Sequence, residues 1–310
     1  MKKKYTSLLI CTITLLFLIQ FFIYTKEITN AFFDGTILFI KNLLPNIFLF
    51  FIISDILNNY NIINYLSLIF GNIFSKLFKV SKEGTYVFFM SMLSGFPGNS
   101  KFIKELLDNN RINEQDATKL LTFTHFSNPL FIISTIGINF LHDKKIGFII
   151  LISHFITNII IGLLFRNIYK CENKILLKKE SISLPFIPLL KNSISNTFNG
   201  LMVIYGIIIF FFILTTIINI NLKLDYFHQT LLNGFIEMTN GLNMIKNLNF
   251  SIDIKASLMA FFISFGGFSV HMQVMSMLSN YKINYFIYFI ARLLHASISA
   301  LLVFFRMIYH

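Results

Sequence analysis

The stretch FFMSMLSGFPGNSKFIKELL, residues 88–107, decides how the chain has to be read. It starts as an apolar helix, breaks at Ser94-Gly95-Phe96-Pro97-Gly98-Asn99-Ser100-Lys101, and resumes as a charged amphipathic helix. In hydrocarbon an unwound turn leaves N–H and C=O groups unpaired, at several kcal/mol each, so such a break survives only inside protein or beside water. A second interrupted stretch, AFFISFGGFSVHMQVMSMLS, occupies residues 260–279. At a constant offset, Ser94-Gly95-Phe96 falls on Gly266-Gly267-Phe268 and Leu106 on Leu278. Matching interruptions in two halves of a membrane protein point to a ligand site near the bilayer midplane. Two ordinary loops between short helices are the simpler alternative, because hydropathy fixes helix boundaries loosely.

Composition supports the membrane setting. Of 310 residues, 55% are hydrophobic and 13% charged, against about 25% charged in a soluble protein. That leaves roughly 170 hydrophobic residues, enough for about eight spans of about 20 residues. A soluble two-domain protein and a disordered chain are both excluded. The net charge of +12 is distributed as the positive-inside rule distributes it, in Lys2, Lys3 and Lys4 and around one loop with Arg166, Lys170, Lys174, Lys178, Lys179 and Lys191. No solvated face gathers Lys and Arg for phosphates, so no nucleic-acid partner is expected. Cys11 and Cys171 lie at different depths and define neither a disulfide framework nor a metal site.

The predicted fold is all-α: a polytopic helical membrane protein with two related halves and broken or re-entrant helices around a central site. Residues 1–30 form a retained signal-anchor-like span, since YTKEITN offers no small-x-small cleavage site. Residues 31–167 form the first half, 168–192 a basic cytoplasmic linker, and 193–310 the second half. Within these, 145–167 and 201–220 read as plain lipid-facing spans. Residues 62–79 and 229–245, richer in Asn, Ser and Gly, read as tilted, interfacial or shielded helices.

The first break has the ingredients of an anion site. Gly95 and Gly98 allow backbone conformations closed to other residues, and Pro97 suits the first turn of the following half-helix. That helix aims free N–H groups and its positive dipole end at the break, with the Ser100 hydroxyl and the Lys101 charge beside them. A Lys101 that merely snorkels to an interface is the alternative. The second break offers Gly266, Gly267, Ser269, His271 and Gln273, polar groups in an apolar run. A histidine at 271 could titrate near neutral pH and serve as a ligand hydrogen-bond donor or proton carrier, or it is simply satisfied by a neighbouring helix. In TKLLTFTHFSNPLFIISTIGINFL, residues 118–141, the polar residues Thr122, Thr124, His125, Ser127 and Asn128 precede Pro129, which removes a helix hydrogen bond. A similar cluster, Glu237-Met238-Thr239-Asn240-Gly241, holds one carboxylate that can pair with Lys101, couple to protons or lie at the water boundary. HExxH, CxxC, G-x-S-x-G and GxxxxGKS/T are all missing, so neither an enzyme nor an ATP-driven pump is expected. Seven histidines show no metal-ligand spacing, and no cofactor is expected.

SGFPGNSK, followed by a charged amphipathic stretch and then THFSNPLF, resembles the gate or nucleoside-recognition domain superfamily of bacterial membrane proteins. Within it the pattern is similar to the YlbJ-type sporulation integral membrane proteins. EMTNG at 237–241 and SFGGFSVHMQV at 264–274 occur in the same order as in that family, so the likeness covers about residues 40–300. The resemblance implies transport of dipicolinic acid, pyridine-2,6-dicarboxylate, from the mother cell across the outer forespore membrane during spore formation. It carries the family's polar positions to Ser94, Gly95, Pro97 and Lys101, to Ser127 and Pro129, to Glu237 and Gly241, and to Gly266, Gly267, Ser269, His271 and Gln273. The chain departs from the family pattern at Phe96, at Gly98-Asn99-Ser100 and at Asn128.

Dipicolinate is a flat dianion. Two half-helix N-termini, Lys101 and a histidine suit its carboxylates, with Phe96 or Phe268 stacked on the ring, and Lys101→Met is then expected to abolish uptake. The expected partners are this anion and the lipid bilayer, and a homo-oligomer is compatible with the reading. Other readings are a nucleoside or other small-anion carrier, and a sporulation assembly factor that transports nothing.

Overall fold

A computed structural model describes residues 2–169 and 184–308, whose regular structure is all helical, with no strand among them. Lys170, Cys171, Lys174, Lys178 and Lys179 of the expected linker lie outside the described residues. The chain begins with α1 (Lys2–Ile23) and α2 (Thr25–Leu38), then a π-helical turn at Phe39–Leu43, α3 (Leu44–Asn59) and α4 (Ile62–Phe78). Next come α5 (Gly84–Ser94), α6 (Gly98–Asp108), α7 (Glu114–Phe123), a π-helical segment at Phe131–Phe140 and α8 (Lys144–Phe165). After the linker follow α9 (Phe186–Leu222), α10 (Tyr226–Ile236), α11 (Met238–Ile245), α12 (Ile252–Phe265), α13 (Gly267–Met277) and α14 (Tyr285–Ile308). The first residues assigned to the linker's far end, from Phe186 on, already belong to α9.

Among the described residues four helices are long and apolar enough to cross a membrane: α8, α9, α12 and α13 taken together, and α14. Two bent pairs raise the number to six, α1 with α2 at 100° and α3 with α4 at 86°. That is fewer than the eight or so the composition allows, because much apolar sequence is spent on half-helices. α5, α6 and α7 have 11, 11 and 10 residues. At 1.5 Å per residue they reach about 16 Å, half of the ~30 Å hydrocarbon layer. α4, turned 86° from α3, cannot run along the membrane normal if α3 does. Its bared Tyr65, Leu68, Ile69 and Ile73 suit the tilted or interfacial position its composition predicts.

One order of elements occurs twice. A half-helix, a break, a half-helix, a tight turn, a half-helix, a break, a further segment and a long span describe α5 to α8, and equally α10 to α14. The constant-offset alignment is thereby corrected. The break before α6 matches the break before α11, and the break after α7 matches the one before α13. A Gly-Phe pair occurs near three of the four breaks, at 95–96, 234–235 and 267–268, so it does not fix the register between halves.

The spans are also less plain than their hydropathy. α8 buries Ser153, His154, Thr157 and Asn158 on one face, and α9 buries Ser193, Thr197 and Thr215. Opposite faces expose Leu, Ile and Phe, with Ile187 at 80% and Phe286 at 70%, the pattern of helices solvated by lipid. A large apolar core joins α5–α8 to α11, α12 and α14, with Phe78 stacked on Phe123 at 4.6 Å. A smaller core of Phe39, Ile47, Phe51, Leu201, Ile204 and Phe212 fixes α9 against α3.

Candidate functional site

Within each half the two breaks touch, and glycine is what lets them. A Cβ on Gly95 would lie 2.5 Å from the backbone nitrogen of Asn128, and Gly95 itself sits at φ +77°. Phe96 N–H donates to the Phe126 carbonyl at 2.7 Å and Asn128 Nδ2 to the Ser94 carbonyl at 3.4 Å, so the two unwound turns satisfy each other's backbone. In the second half a Cβ on Gly267 would lie 2.9 Å from Met238 N. In the first half this answers the cost of breaking helices in a membrane: backbone groups freed by one break pair with the other.

The four half-helix starts at these breaks differ in how they are capped. Asn128 Oδ1 accepts from Leu130 N–H at 2.8 Å, covering the start of the π segment. Glu237, 2% exposed, accepts from Asn240 N–H at 2.8 Å and from the Thr239 hydroxyl at 3.2 Å, capping α11. Glu237 is therefore neither a partner of Lys101 nor at a water boundary, and Asn240 contributes its backbone. The starts of α6 and α13 have no side-chain cap. A helix start without a cap presents N–H groups and a positive dipole end. At the α6 start stands Asn99, fully buried, with neither side-chain polar atom partnered. Ser100 turns its hydroxyl back to the Pro97 carbonyl at 2.6 Å, and Ser94 bonds the Met90 carbonyl at 3.0 Å.

His125 stands between those two open starts. Its ring stacks on Phe96, centroids 4.7 Å apart, and its unpartnered Nε2 is 2.9 Å from where a Gly266 Cβ would be. Its Nδ1 shares a 3.2 Å hydrogen bond with the Tyr288 hydroxyl of α14, and the His271 ring packs on the Tyr288 ring at 4.9 Å. His271 Nε2 donates to the Phe265 carbonyl at 3.0 Å, leaving Nδ1 to accept from the Tyr285 hydroxyl at 3.1 Å. Behind them, Ser127 N–H donates to His154 Nε2 at 2.9 Å, so His154 carries its proton on Nδ1 and gives it to Ser264 Oγ at 2.8 Å. Gln273 bonds Ser269 at 3.3 Å along α13. Among the described residues no group of three or more His, Cys, Asp or Glu is placed to hold a metal.

The charge at this place is Arg292 of α14. It is fully buried, bonded to the Thr122 carbonyl at the end of α7 and to His295 Nδ1 at 2.7 Å. Its Nε has no partner, and no carboxylate pairs with it among the described residues. Leaving an ionised group buried without a counter-ion costs several kcal/mol, and such groups at membrane depth mark function. Lys101, by contrast, turns away. Its ammonium is held by Asp55 at 2.6 Å, by Ser54 and the Phe51 carbonyl, and lies over the Phe51 ring. Phe268 is 39% exposed and stacks on Phe289, so of the two expected stacking rings Phe96 alone is at the crossing. Arg292, His154 and Asp55 escaped the sequence reading, although each is a charged or titratable residue in an apolar run, IARLLHAS (with His295), LISHFIT and FIISDIL.

Long apolar helices, paired breaks that satisfy one another, and polar groups gathered where they cross define an integral membrane protein of the polytopic, broken-helix class. Residues 40–144, which contain SGFPGNSK and THFSNPLF, match the family described as Gate, nucleoside recognition. Most of the chain is similar to the sporulation integral membrane protein YlbJ of Bacillus subtilis (strain 168), 27% identical over 295 aligned residues that cover 84% of this chain and 72% of that protein. No solved structure matches it. The resemblance read from the motifs thus holds in both comparisons.

Proposed function

We propose that the chain is a carrier of a small organic dianion, dipicolinate, in the mother-cell-derived outer forespore membrane. The observation that carries this reading is Arg292, a buried guanidinium without a carboxylate, against Tyr288, whose hydroxyl bonds the His125 ring that stands between the two uncapped helix starts. A ligand carboxylate would supply the missing counter-ion, and the α6 start with Asn99 would take the second. His125 and Phe96 present stacked rings to a flat aromatic body. The breaks at Gly95 and Gly266 let α6 and α13 move as short rods while their partners stay fixed, which is what opening this closed arrangement requires. The relative's sporulation name supports the cellular setting. The description of the matched family favours a second reading, a nucleoside carrier, for which a buried uncompensated charge has no use.

The test is the distribution of dipicolinate between mother cell and forespore in the sporulating host. Deleting the gene should strand the acid in the mother cell. Arg292→Met at equal protein level should do the same, because losing a charged hydrogen bond of ~1.5–3 kcal/mol weakens binding about 10- to 100-fold. Normal spore dipicolinate in the deletion would refute the reading and leave a nucleoside carrier or an assembly factor.

A further inference from the structure

The charged cluster one to two turns along α6 from its open start has no part in that binding site. Lys101 Nζ lies 2.6 Å from Asp55 Oδ1 and 3.7 Å from Glu105 Oε1. Glu105 Oε2 accepts from Asn58 Nδ2 at 2.5 Å and from the Tyr86 hydroxyl at 2.8 Å. The carboxyl groups of Asp55 and Glu105 thus both lie within 4 Å of the one Lys101 ammonium. Nearby cations are engaged elsewhere: Lys104 pairs with Asp108 at 2.5 Å, and Arg111 donates to Asn64 Oδ1 at 2.7 Å. Two carboxyl groups therefore share one ammonium, and full ionisation would leave a net charge of −1 in a place largely removed from water. From the neighbouring elements, α3 presents Asp55 and Asn58 to Glu105 and α5 presents Tyr86. α7 and α13 add no titratable group within ion-pair or hydrogen-bond reach among the described residues.

We infer that Asp55, Lys101 and Glu105 form a proton-carrying site in which the two carboxyl groups share one exchangeable proton, and that this proton drives the carrier through α6. Oε2 of Glu105 is filled by two donors, so the proton resides on Oε1, the oxygen on the side of the ammonium that Asp55 also holds. It is taken from water by the carboxylate and returned to water, and no other bond forms or breaks. Side-chain exposures of 16% for Lys101, 15% for Asp55 and 21% for Glu105 leave this cluster less enclosed than the fully buried Arg292 and Asn99. The same short helix bears the open start at Gly98 and the cluster at Lys101 and Glu105, so neutralising the cluster frees or locks the element that faces the anion. The driving role rests on the carrier reading, whereas the shared proton does not.

The experiment has two arms on the full chain. In detergent at neutral pH, the infrared absorbance of protonated carboxyl groups should fall by the same single group in Glu105→Gln and in Asp55→Asn. It should rise by one group in Lys101→Met, which leaves two carboxyls without a cation. An unchanged band in Glu105→Gln, or a loss there that Asp55→Asn does not share, overturns the shared proton. In proteoliposomes, Glu105→Gln should keep exchange of labelled for unlabelled dipicolinate. It should lose the accumulation, about tenfold per pH unit and coupled proton, that a pH gradient sustains in the wild type. Equal gradient-driven accumulation in the variant overturns the coupling. Absence of exchange in the wild type itself refutes the carrier reading and its coupling, while the infrared series still decides the proton site.

Discussion

Replacing Gly95 with Ala probes the crossing of the first two breaks with a single methyl group. Gly95 has φ +77° and ψ 178°, a region that is glycine's almost alone and costs other residues about 1–3 kcal/mol. The new Cβ would also sit 2.5 Å from the Asn128 nitrogen and 2.9 Å from its Cα. These are backbone atoms, anchored by Asn128 to the π segment, and they cannot swing aside as a side-chain tip would. Overpacking of this kind costs about 1–3 kcal/mol, so the total is about 2–6 kcal/mol, a large share of a typical ~5–15 kcal/mol stability. Gly200→Ala is the control. It lies inside α9 with nothing within 4 Å of the added Cβ and should stabilise by ~0.5–1 kcal/mol. Both are read as thermal melts by circular dichroism in detergent, since the chain has no Trp. If Gly95→Ala melts with the wild type, the two breaks do not cross as described.

Other consequences are smaller or more local. Asn128→Ala removes the acceptor for Leu130 N–H and should cost about 1 kcal/mol, whereas Asn128→Asp keeps that acceptor and should melt closer to wild type. Outside the spans, the His228 side chain, 2.6 Å from Asp225, holds the Asp225 carboxyl below its ordinary value. A carboxyl lowered on folding adds stability above its unfolded pKa of about 3.9 and loses it as pH falls through the folded value. Carbon NMR of the Asp225 carboxyl should therefore titrate below that value in the wild type and move upward in His228→Ala. No movement would separate the pair.

The breaks themselves were legible because they violate a rule that membranes enforce: Ser94–Lys101, His125–Pro129 and Gly266–Gln273 put glycine, proline and polar groups where hydrocarbon tolerates none. Their pairing was hidden. The Asn128–Gly95 contact and the Glu237 cap depend on which segments fold back on each other, and residue spacing does not encode that. The charges misled for a related reason. Lys101 looked free because its partner Asp55 is 46 positions away, and Arg292 looked like one more basic residue because its contact at Thr122 is 170 positions away. A lone charge in an apolar run signals that some partner exists. Whether that partner is a side chain, as for Lys101, or must come from a ligand, as argued for Arg292, only the packing reveals.

The most direct measurement is uptake of labelled pyridine-2,6-dicarboxylate into vesicles reconstituted with the full chain, against Arg292→Met and Arg292→Lys. The account predicts uptake by the wild type that nucleosides do not inhibit, loss in Arg292→Met, and partial retention where lysine keeps the charge. Wild-type vesicles that take up none, or Arg292→Met vesicles that match the wild type, would contradict it.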